Sequence, residues 1–450
     1  MKQVTVDFST VTGKIKPMHA VNNGPAGGRT RKNASNYHLF SEAGIPYART
    51  HDASSFYHYG GEHTVDVHRI FKNFDADETL PESYDFEMTD MYIGDIVSVG
   101  CEPFYRLGAT IEHLKRVGTL PPKDFGKWAR ICEHIIRHYT EGWADGFHYK
   151  ITYWEIWNEP DLYKNEPGKI SPTWSGTTEE FFELYDVTAK HLKKCFPHLK
   201  IGGPAIAYDL DWADRFLAQL DAPLDFFSWH CYFRNFERLV EKSKLVRELL
   251  DRHGYTETES FLNEWNYVKG WNGDEFDFTI QAIKGLYGAS FLGATMLSMQ
   301  KTPTDMLMYY DAKPISGFCG LWETHGLAPL KGYYALKMFG ELYRLGDEVS
   351  SETDDPLHLC VGAAKKGDEG AVMLTRFAEV EEPQETETVR ISFAGLPARC
   401  LVSCSVLDEE HNAEVTREEI LSAAEASISV KMAPASSLLL RILPTDGENA

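Results

Sequence analysis

The chain has 450 residues, of which 45 are basic and 67 are acidic, and its formal net charge at neutral pH is −22. This charge argues against nucleic acid and anionic membrane surfaces as partners, because both repel an acidic protein. The chain is too long for one ordinary hydrophobic core, although a barrel of alternating strands and helices holds roughly 250 residues or more in a single domain. One large and one small domain are therefore expected.

The N-terminal residues and the cysteines bear on location. The first residues, MKQVTVDFSTVTGK, have the alternation of a strand rather than the charged and apolar regions of an export signal. The sequence contains no uninterrupted run of ~18 apolar residues, the length that a membrane-spanning helix requires. A cytoplasmic protein is therefore expected. The eight cysteines stand in apolar contexts without CxxC pairs, which predicts reduced core thiols rather than disulfides or a zinc site.

Strand-like runs and amphipathic helices alternate between residues 14 and 345, an order that favours parallel βαβ units. Eight strands, the number that a closed barrel requires, are predicted at 16–22, 45–51, 102–109, 151–157, 200–204, 224–232, 260–265 and 295–300. Helices are predicted at 36–43, 89–99, 125–139, 276–292 and 330–343. A further helix is predicted from a capping box at Thr177 to the stop at Pro197, and a charged helix of about twenty residues is predicted to end at Gly254. A long polar insertion occupies residues 52–88 between the second and third strands.

A different pattern follows Gly346. Short strands succeed one another without a long helix, and turn-like segments such as KKGDEG separate them, which is typical of a small β-sandwich. These strands are predicted at 357–361, 371–377, 388–393, 398–407, 427–432 and 436–443. The predicted fold class is α/β, with a (β/α)8 TIM barrel over residues 14–345 and a C-terminal β-sandwich domain over residues 346–450. The N-terminal strand, residues 1–13, is expected to join the sandwich.

The stretch ITYWEIWNEPDL, residues 151–162, carries the strongest chemical signal. Its apolar strand stops at an Asn-Glu-Pro sequence, because proline cannot continue a central strand. Glu159 is therefore expected at a strand end, with the neutral amide of Asn158 beside it. On these residues alone, a buried strand that ends in a solvated glutamate stays an alternative.

A second glutamate, Glu264, ends the predicted seventh strand, 105 residues after Glu159. This separation is close to three βα units, so both carboxylates are expected at the same mouth of the barrel. Glycoside hydrolysis uses such a pair: one carboxyl protonates the leaving oxygen, and the other attacks the anomeric carbon when they lie ~5 Å apart. Two glutamates this close cannot both ionise freely, so one pKa should rise. The residues themselves do not show which glutamate is the acid.

The sequence around both glutamates resembles glycoside hydrolase family 39, the β-xylosidase and α-L-iduronidase family of clan A. The resemblance covers most of residues 14–345 and includes W-E-I-W-N-E-P-D-L at residues 154–162 and the later stretch GLWETHGLAPLKGYYALKMF. It also includes three short motifs at strand ends: Arg49-Thr50-His51, Trp229-His230-Cys231-Tyr232 and Asn263-Glu264-Trp265.

The resemblance implies a role for each matching residue. Glu159 is implied to be the general acid/base, Glu264 the nucleophile and Asn158 the ligand of the sugar 2-hydroxyl, while Tyr232 is implied to contact the nucleophile. The other residues implied to line or wall the sugar subsite are Arg49, His51, His230, Trp265 and Trp322. A core position for Tyr232, a structural ion pair for Arg49 and a purely structural position for Trp322 are the alternatives. No metal or cofactor is expected, since retaining hydrolysis requires none.

One departure from the family concerns the sugar. The family's xylosidases carry an acidic residue in the third strand, where this chain has Arg106 within FYRLG. A guanidinium that faces the pocket would suit a carboxylated sugar or a different hydroxyl pattern.

The sequence thus predicts a retaining exo-glycosidase acting on short oligosaccharides, most simply a β-xylosidase. An α-L-arabinosidase, a β-galactosidase, a uronic-acid glycosidase and a non-catalytic carbohydrate-binding barrel are the alternatives, and a homo-oligomer is left open.

Overall fold

The computed structural model describes residues 1–27, 34–51, 63–112, 116–164, 166, 168–382, 385–423 and 426–445. These residues form a closed barrel of eight parallel strands and a separate nine-stranded, largely antiparallel sheet. The predicted fold class, a TIM barrel with a C-terminal β-sandwich, is confirmed. Within the described ranges, no helix combines the length and the apolar composition that crossing a bilayer requires.

The barrel strands are in chain order around the closed sheet. The chain begins with β1 (Lys2–Lys14), which belongs to the second sheet. The barrel strands are β2 (Ala20–Asn22), β3 (Tyr47–Arg49), β4 (Glu102–Leu107), β5 (Tyr153–Ile156), β6 (Lys200–Ile206), β7 (Phe226–Phe233), β8 (Glu259–Tyr267) and β9 (Met306–Tyr309).

Ten helices of the described residues connect the strands or flank them. They are α1 (Tyr37–Ala43), α2 (Val67–Ile70), α3 (Glu87–Ser98), α4 (Phe125–Thr140), α5 (Thr178–Cys195), α6 (Leu210–Gln219), α7 (Glu237–Arg252), α8 (Gly273–Ile283), α9 (Leu286–Gln300) and α10 (Lys331–Leu345). The predicted capping box at the start of α5 is confirmed, because the Thr177 side chain accepts from the backbone of Glu180 while the Glu180 side chain accepts from that of Thr177.

The prediction of the eighth barrel strand at residues 295–300 is wrong. This run is the second half of α9, which packs between the barrel and the nine-stranded sheet and is therefore buried on nearly every side. A helix that is apolar all round has no polar face, so its sequence lacks the periodicity that separates a helix from a buried strand. The eighth strand is β9, which pairs in parallel with β8 and with β2.

The second sheet has the strand order β15-β14-β17-β12-β11-β10-β1-β13-β16. Its C-terminal strands are β10 (Asp347–Thr353), β11 (Leu359–Lys366), β12 (Glu369–Arg376), β13 (Glu387–Ala394), β14 (Arg399–Leu407), β15 (Asn412–Ser422), β16 (Ser427–Met432) and β17 (Ser436–Pro444). The N-terminal strand lies between β10 and β13, antiparallel to the first and parallel to the second. β10 and the largely exposed β15 were not predicted, and the limits of the domains in sequence stay a prediction.

The barrel interior changes from apolar to polar along its axis. Its lower layer is an apolar cluster of Ala20, Phe104, Tyr153, Phe226, Phe261, Met306 and Met308. Buried polar residues follow in the same strands toward their carboxyl ends: Asn22, Arg49, Arg106, Glu155, Ser228 and Asn263. Burying polar groups without hydrogen bonds is costly. A network of charged and amide groups therefore has to form at this end of the barrel.

Candidate active site

Glu159 and Glu264 come together at the carboxyl end of the barrel, across His230. Glu159 lies just beyond β5, Glu264 lies in β8, and His230 lies beside it in β7. His230 Nδ1 is 2.8 Å from Oε1 of Glu159 and 3.5 Å from Oε2 of Glu264. Potential ligating atoms of the three side chains all lie within 4.8 Å of one another. The two carboxyl groups therefore address the same small volume.

The backbone at Glu159 has an uncommon conformation. Trp157 and Glu159 both have left-handed backbone angles, with φ of 76° and 48°. Such a conformation costs roughly 1–2 kcal/mol at a residue other than glycine. Two strand-end hydrogen bonds hold it, from Trp157 N to Leu107 O at 2.7 Å and from Glu159 N to Ala205 O at 2.9 Å. The neighbouring strands β4 and β6 therefore fix the direction in which the Glu159 side chain leaves the barrel.

Glu264 is held by cationic and hydroxyl donors. Arg49 Nη1 donates to Oε1 at 2.7 Å, Tyr232 donates to Oε2 at 2.7 Å, and His51 Nε2 lies 3.4 Å from Oε1. Burial raises the pKa of Glu264 and Glu159 repels its charge, while Arg49 and the Tyr232 hydroxyl lower the pKa. The donors thus favour the ionised form in a site that otherwise disfavours it.

His230 is neutral at neutral pH. Burial of the ring lowers its pKa to about 4. A neutral imidazole carries one N–H, and a buried N–H without an acceptor is more costly than a bare ring nitrogen. We therefore assign the proton to Nδ1, which donates it to Glu159, whereas Nε2 has no hydrogen-bond partner among the described residues. The ring positions Glu159 without adding a charge.

Arg49 is the centre of the buried network. Its Nε donates to Oε2 of Glu155 at 2.7 Å, and Nη1 donates to Oδ1 of Asn22 at 3.0 Å as well as to Glu264. Nη2 donates to Oδ1 of Asn158 at 2.7 Å. Arg49 therefore forms ion pairs both with a structural carboxylate, Glu155, and with the candidate nucleophile, Glu264. The bond to Asn158 also fixes the amide orientation, because a guanidinium can only donate.

Glu155 was not recognised from the sequence. It is fully buried and accepts hydrogen bonds from the Ser228 hydroxyl at 2.6 Å and the Asn263 amide at 2.5 Å, besides that from Arg49. It lies within the Trp-Glu-Ile run of the same motif that holds Glu159. The sequence did contain a signal for it. Neighbouring strand residues point to opposite sides, so Glu155 faces inward where Trp154 faces outward, and a buried polar residue in an apolar strand requires a hydrogen-bonding partner.

Arg106 is buried at the same end of the barrel, where its guanidinium is paired with Asp66. Nη2 donates to Oδ1 of Asp66 at 2.6 Å, to the Thr110 hydroxyl at 3.0 Å and to the carbonyl of His51 at 3.3 Å. Nε and Nη1 have no hydrogen-bond partner within the ranges the structure describes. The Asp66 carboxylate therefore neutralises the positive charge of Arg106, which a carboxylated sugar would require for binding.

The structure does not bring Trp265 and Trp322 to the site, which corrects the prediction that they wall the sugar subsite. Both side chains are fully buried. Trp265 points away from the barrel interior and contacts Phe291 of α9, with ring centroids 6.3 Å apart. Trp322 stacks on Phe40 at 5.5 Å and donates its indole N–H to a backbone carbonyl. Both rings therefore contribute to the core.

Aromatic residues from loops stand where the two tryptophans were expected. Trp271, in the loop after β8, is 55% exposed, and its ring lies edge-on to Tyr232 at 5.5 Å. Tyr310, just after β9, lies 6.2 Å from Tyr232 and 6.0 Å from His51. Phe318 contacts both Trp271 and Tyr310. A tryptophan in the polar, glycine-containing segment VKGWNGDEF was the sequence signal for this wall.

The sequence also matches known glycosidases. The model of glycosyl hydrolases family 39 matches residues 57–245. A β-xylosidase from Caldicellulosiruptor saccharolyticus is 25% identical over 351 residues, which are 70% of this chain and 68% of that protein. A β-xylosidase from Geobacillus stearothermophilus is 27% identical over 230 residues, 44% of each protein. The resemblance to glycoside hydrolase family 39 is confirmed.

The fold of the present protein also matches that of a solved glycosidase structure. A glucosidase from Croceicoccus marinus superposes with a TM-score of 0.80 at 20% identity, with 99% of each chain covered. At this identity the likeness shows the fold alone. Together, the family match and the xylosidase relatives support a glycoside hydrolase, and they leave the sugar open.

Proposed function

We propose that this protein, which resembles glycoside hydrolase family 39, is a retaining exo-glycosidase that hydrolyses short oligosaccharides, most simply a β-xylosidase. One observation carries the proposal: oxygens of Glu159 and Glu264 lie within 4.8 Å of each other beside His230. Retaining enzymes hold their carboxyl groups ~5–5.5 Å apart, whereas inverting enzymes hold them ~6.5–9.5 Å apart to admit a water between them and the sugar. The separation therefore supports a double displacement.

In the first step, Glu159 gives its proton to the glycosidic oxygen while a carboxylate oxygen of Glu264 attacks the anomeric carbon. The bond from that carbon to the leaving oxygen breaks, an ester to Glu264 forms, and the released alcohol keeps the proton. The donors Arg49 and Tyr232 support this role, because they keep the buried Glu264 ionised and oriented.

In the second step, Glu159 is a carboxylate and accepts a proton from water. The water oxygen attacks the anomeric carbon, the ester to Glu264 breaks, and the sugar leaves with its original configuration. Neutral His230 suits both steps, because its Nδ1–H holds Glu159 in place without supplying a competing proton.

Asn158 is proposed to bind the sugar 2-hydroxyl. Arg49 occupies its Oδ1, so the amide nitrogen is left to donate toward the ring. A hydrogen bond to the 2-hydroxyl that strengthens as positive charge develops on the sugar lowers the barrier rather than the ground state. The exposed ring of Trp271 beside Tyr232 is the apolar surface that we propose packs on the sugar.

The named relatives favour xylose among the sugars. Both sequence relatives above are β-xylosidases, and the Arg106–Asp66 pair weakens the case for a uronic acid, whose carboxylate would have to compete with Asp66. The other specificities of the family stay alternatives. A cytoplasmic location and the homo-oligomer also stay predictions.

A panel of nitrophenyl glycosides tests the specificity. We expect the β-xyloside to give the highest kcat/KM of a set with α-arabinoside, β-galactoside, β-glucoside and α-iduronide members. Glu264→Gln serves as the blank, because it removes the nucleophile with little change in shape. No turnover of the xyloside with turnover of another member would reject xylose but keep the glycosidase. Saturable sugar binding without turnover of any member would instead favour the non-catalytic barrel.

Tyr232→Phe is expected to move the acid limb of the pH profile. The Tyr232 hydrogen bond lowers the pKa of Glu264, which burial holds above its ordinary value of 4.5. Without this hydrogen bond to its charged form, the pKa of Glu264 should rise further. Because Glu264 has to be ionised to attack, the acid limb of kcat/KM should move to higher pH.

Tyr208→Phe is the matched control for this experiment. Tyr208 is half-exposed in the loop after β6, and its hydroxyl donates to Glu166 at 2.6 Å rather than to either candidate glutamate. Its variant should leave the acid limb in place. An acid limb that stays at the wild-type pH in Tyr232→Phe would contradict the proposed contact between Tyr232 and the ionised nucleophile.

A further inference from the structure

A second cluster of chemically reactive side chains lies on the outer face of the barrel, between α4 and α5. It consists of Glu133 from α4 and of His191 and Cys195 from α5. Glu133 Oε2 is 2.6 Å from His191 Nε2, and Cys195 Sγ is 3.8 Å from the same nitrogen. Potential ligating atoms of all three side chains lie within 4.8 Å of one another. The proposed hydrolysis uses none of these residues.

We propose that Glu133, His191 and Cys195 bind a divalent transition-metal ion of the zinc type, with a fourth position left for water. One carboxylate oxygen, one imidazole nitrogen and one sulfur form the mixed donor set that zinc accepts, and calcium or magnesium would require oxygen ligands alone. His191 and Cys195 are four residues apart, so α5 presents them on the same face. A neutral imidazole with two anionic ligands would balance the charge of the ion.

The distance between Cys195 and His191 is close to that of a tetrahedral site. Bonds of ~2.3 Å to sulfur and ~2.0–2.1 Å to nitrogen place the two ligand atoms about 3.5 Å apart at a tetrahedral angle. The observed separation between Cys195 Sγ and His191 Nε2 is 3.8 Å. Glu133 is nearer to His191 than a shared ion would require, because the two are hydrogen-bonded directly. A small rotation of the Glu133 side chain would admit the ion.

A neighbouring arginine supports the carboxylate. Arg137, one turn along α4, donates from Nε to Oε1 of Glu133 at 2.8 Å and leaves Oε2 facing His191. Hydrogen bonds of this kind orient metal ligands in known sites. Side-chain exposures of 15% for Glu133 and 28% for His191 leave a path for the ion and for a water ligand. Seven of the eight cysteines are buried, and Cys195 is the partly exposed one.

Cobalt(II) is the spectroscopic probe of this site, because a thiolate ligand gives it a charge-transfer band in the near ultraviolet. We expect the full-length protein to develop this band on titration with CoCl2, and Zn²⁺ to abolish it by displacement, since zinc binds such ligands more tightly. Cys195→Ser should remove the band, and His191→Ala should weaken Zn²⁺ binding about 100-fold or more. Both variants lie on the outer surface, and thermal melting checks that they fold.

Protection of the thiol gives a second readout. Zn²⁺ at ten times its dissociation constant should slow maleimide labelling of Cys195, followed by peptide mass, about tenfold in the wild type. It should not slow labelling in His191→Ala. The matched control is His253→Ala, which removes a surface histidine paired with Asp214 at 2.8 Å; its affinity and protection should equal those of the wild type.

The same measurements can overturn the proposal. Absence of the charge-transfer band at millimolar CoCl2, together with labelling of Cys195 that Zn²⁺ does not slow, would show that the cluster is an ion pair beside an unrelated thiol. A band that persists in Cys195→Ser would show that the ion binds at another cysteine.

Discussion

Glu264→Ala is expected to lower kcat on an aryl xyloside by about 10⁴-fold or more, because the variant lacks the carboxylate that attacks the anomeric carbon. Azide should restore part of the activity by entering the space that the side chain leaves. Since azide then attacks the intact substrate from the nucleophile's face, the glycosyl azide formed should have the inverted anomeric configuration.

Glu159→Ala should behave in the opposite way. A nitrophenolate leaves without a proton, so formation of the glycosyl ester should be nearly normal, whereas its hydrolysis should be slow because water lacks a base. An initial burst is therefore expected, and azide should speed turnover by attacking the ester. Because this is the second of two displacements, the azide product should have the retained configuration.

The pair of products separates the two roles, which the residues alone leave open. Exchange of the two outcomes between the variants would reverse the roles, and full activity in either variant would remove that glutamate from the mechanism. Glu166→Ala is the control, because it deletes an exposed carboxylate that bonds Tyr208 near the same mouth. Its kcat should stay within about twofold of the wild-type value, as is usual for exposed positions.

The two strand-end glutamates could be predicted because strand alternation and strand count do not depend on distant contacts. An apolar run broken by proline places Glu159, and three further βα units place Glu264 on the same edge. Arg49 and Tyr232 came instead from the resemblance to the family, because spacing alone does not tell which other strand-end side chains contact the two glutamates. Strand position therefore predicted the glutamate pair, and the resemblance supplied the residues around it.

Trp265 was placed at the sugar subsite by the family resemblance and not by strand alternation. The pairing of β7 with β8 shifts register between Trp229 and His230, so that Glu264 rather than Asn263 lies opposite His230. After this irregularity Trp265 faces α9 instead of the barrel mouth. A bulge changes the side on which later residues lie, and one sequence contains no signal for it.

Arg49→Met is expected to cost both stability and activity. Removing one partner of a buried ion pair typically costs ~3–5 kcal/mol, because the remaining charge has lost its compensation. Here two buried carboxylates, Glu155 and Glu264, lose the same guanidinium. We expect the free energy of unfolding in urea to fall by about that amount. We also expect kcat/KM to fall about 100-fold or more, because the nucleophile loses a preorganised donor.

The double variant Arg49→Met/Glu155→Gln separates the two effects. Neutralising Glu155 removes one of the two unpaired buried charges, so part of the lost stability should return, while Glu264 still lacks its donor and kcat/KM should stay low. Arg376→Met is the control for deleting a buried guanidinium, since Arg376 bonds backbone carbonyls in the second sheet. It should lower stability and leave kcat/KM unchanged. Recovery of activity in the double variant would mean that Arg49 acts through Glu155 rather than through direct contact with Glu264.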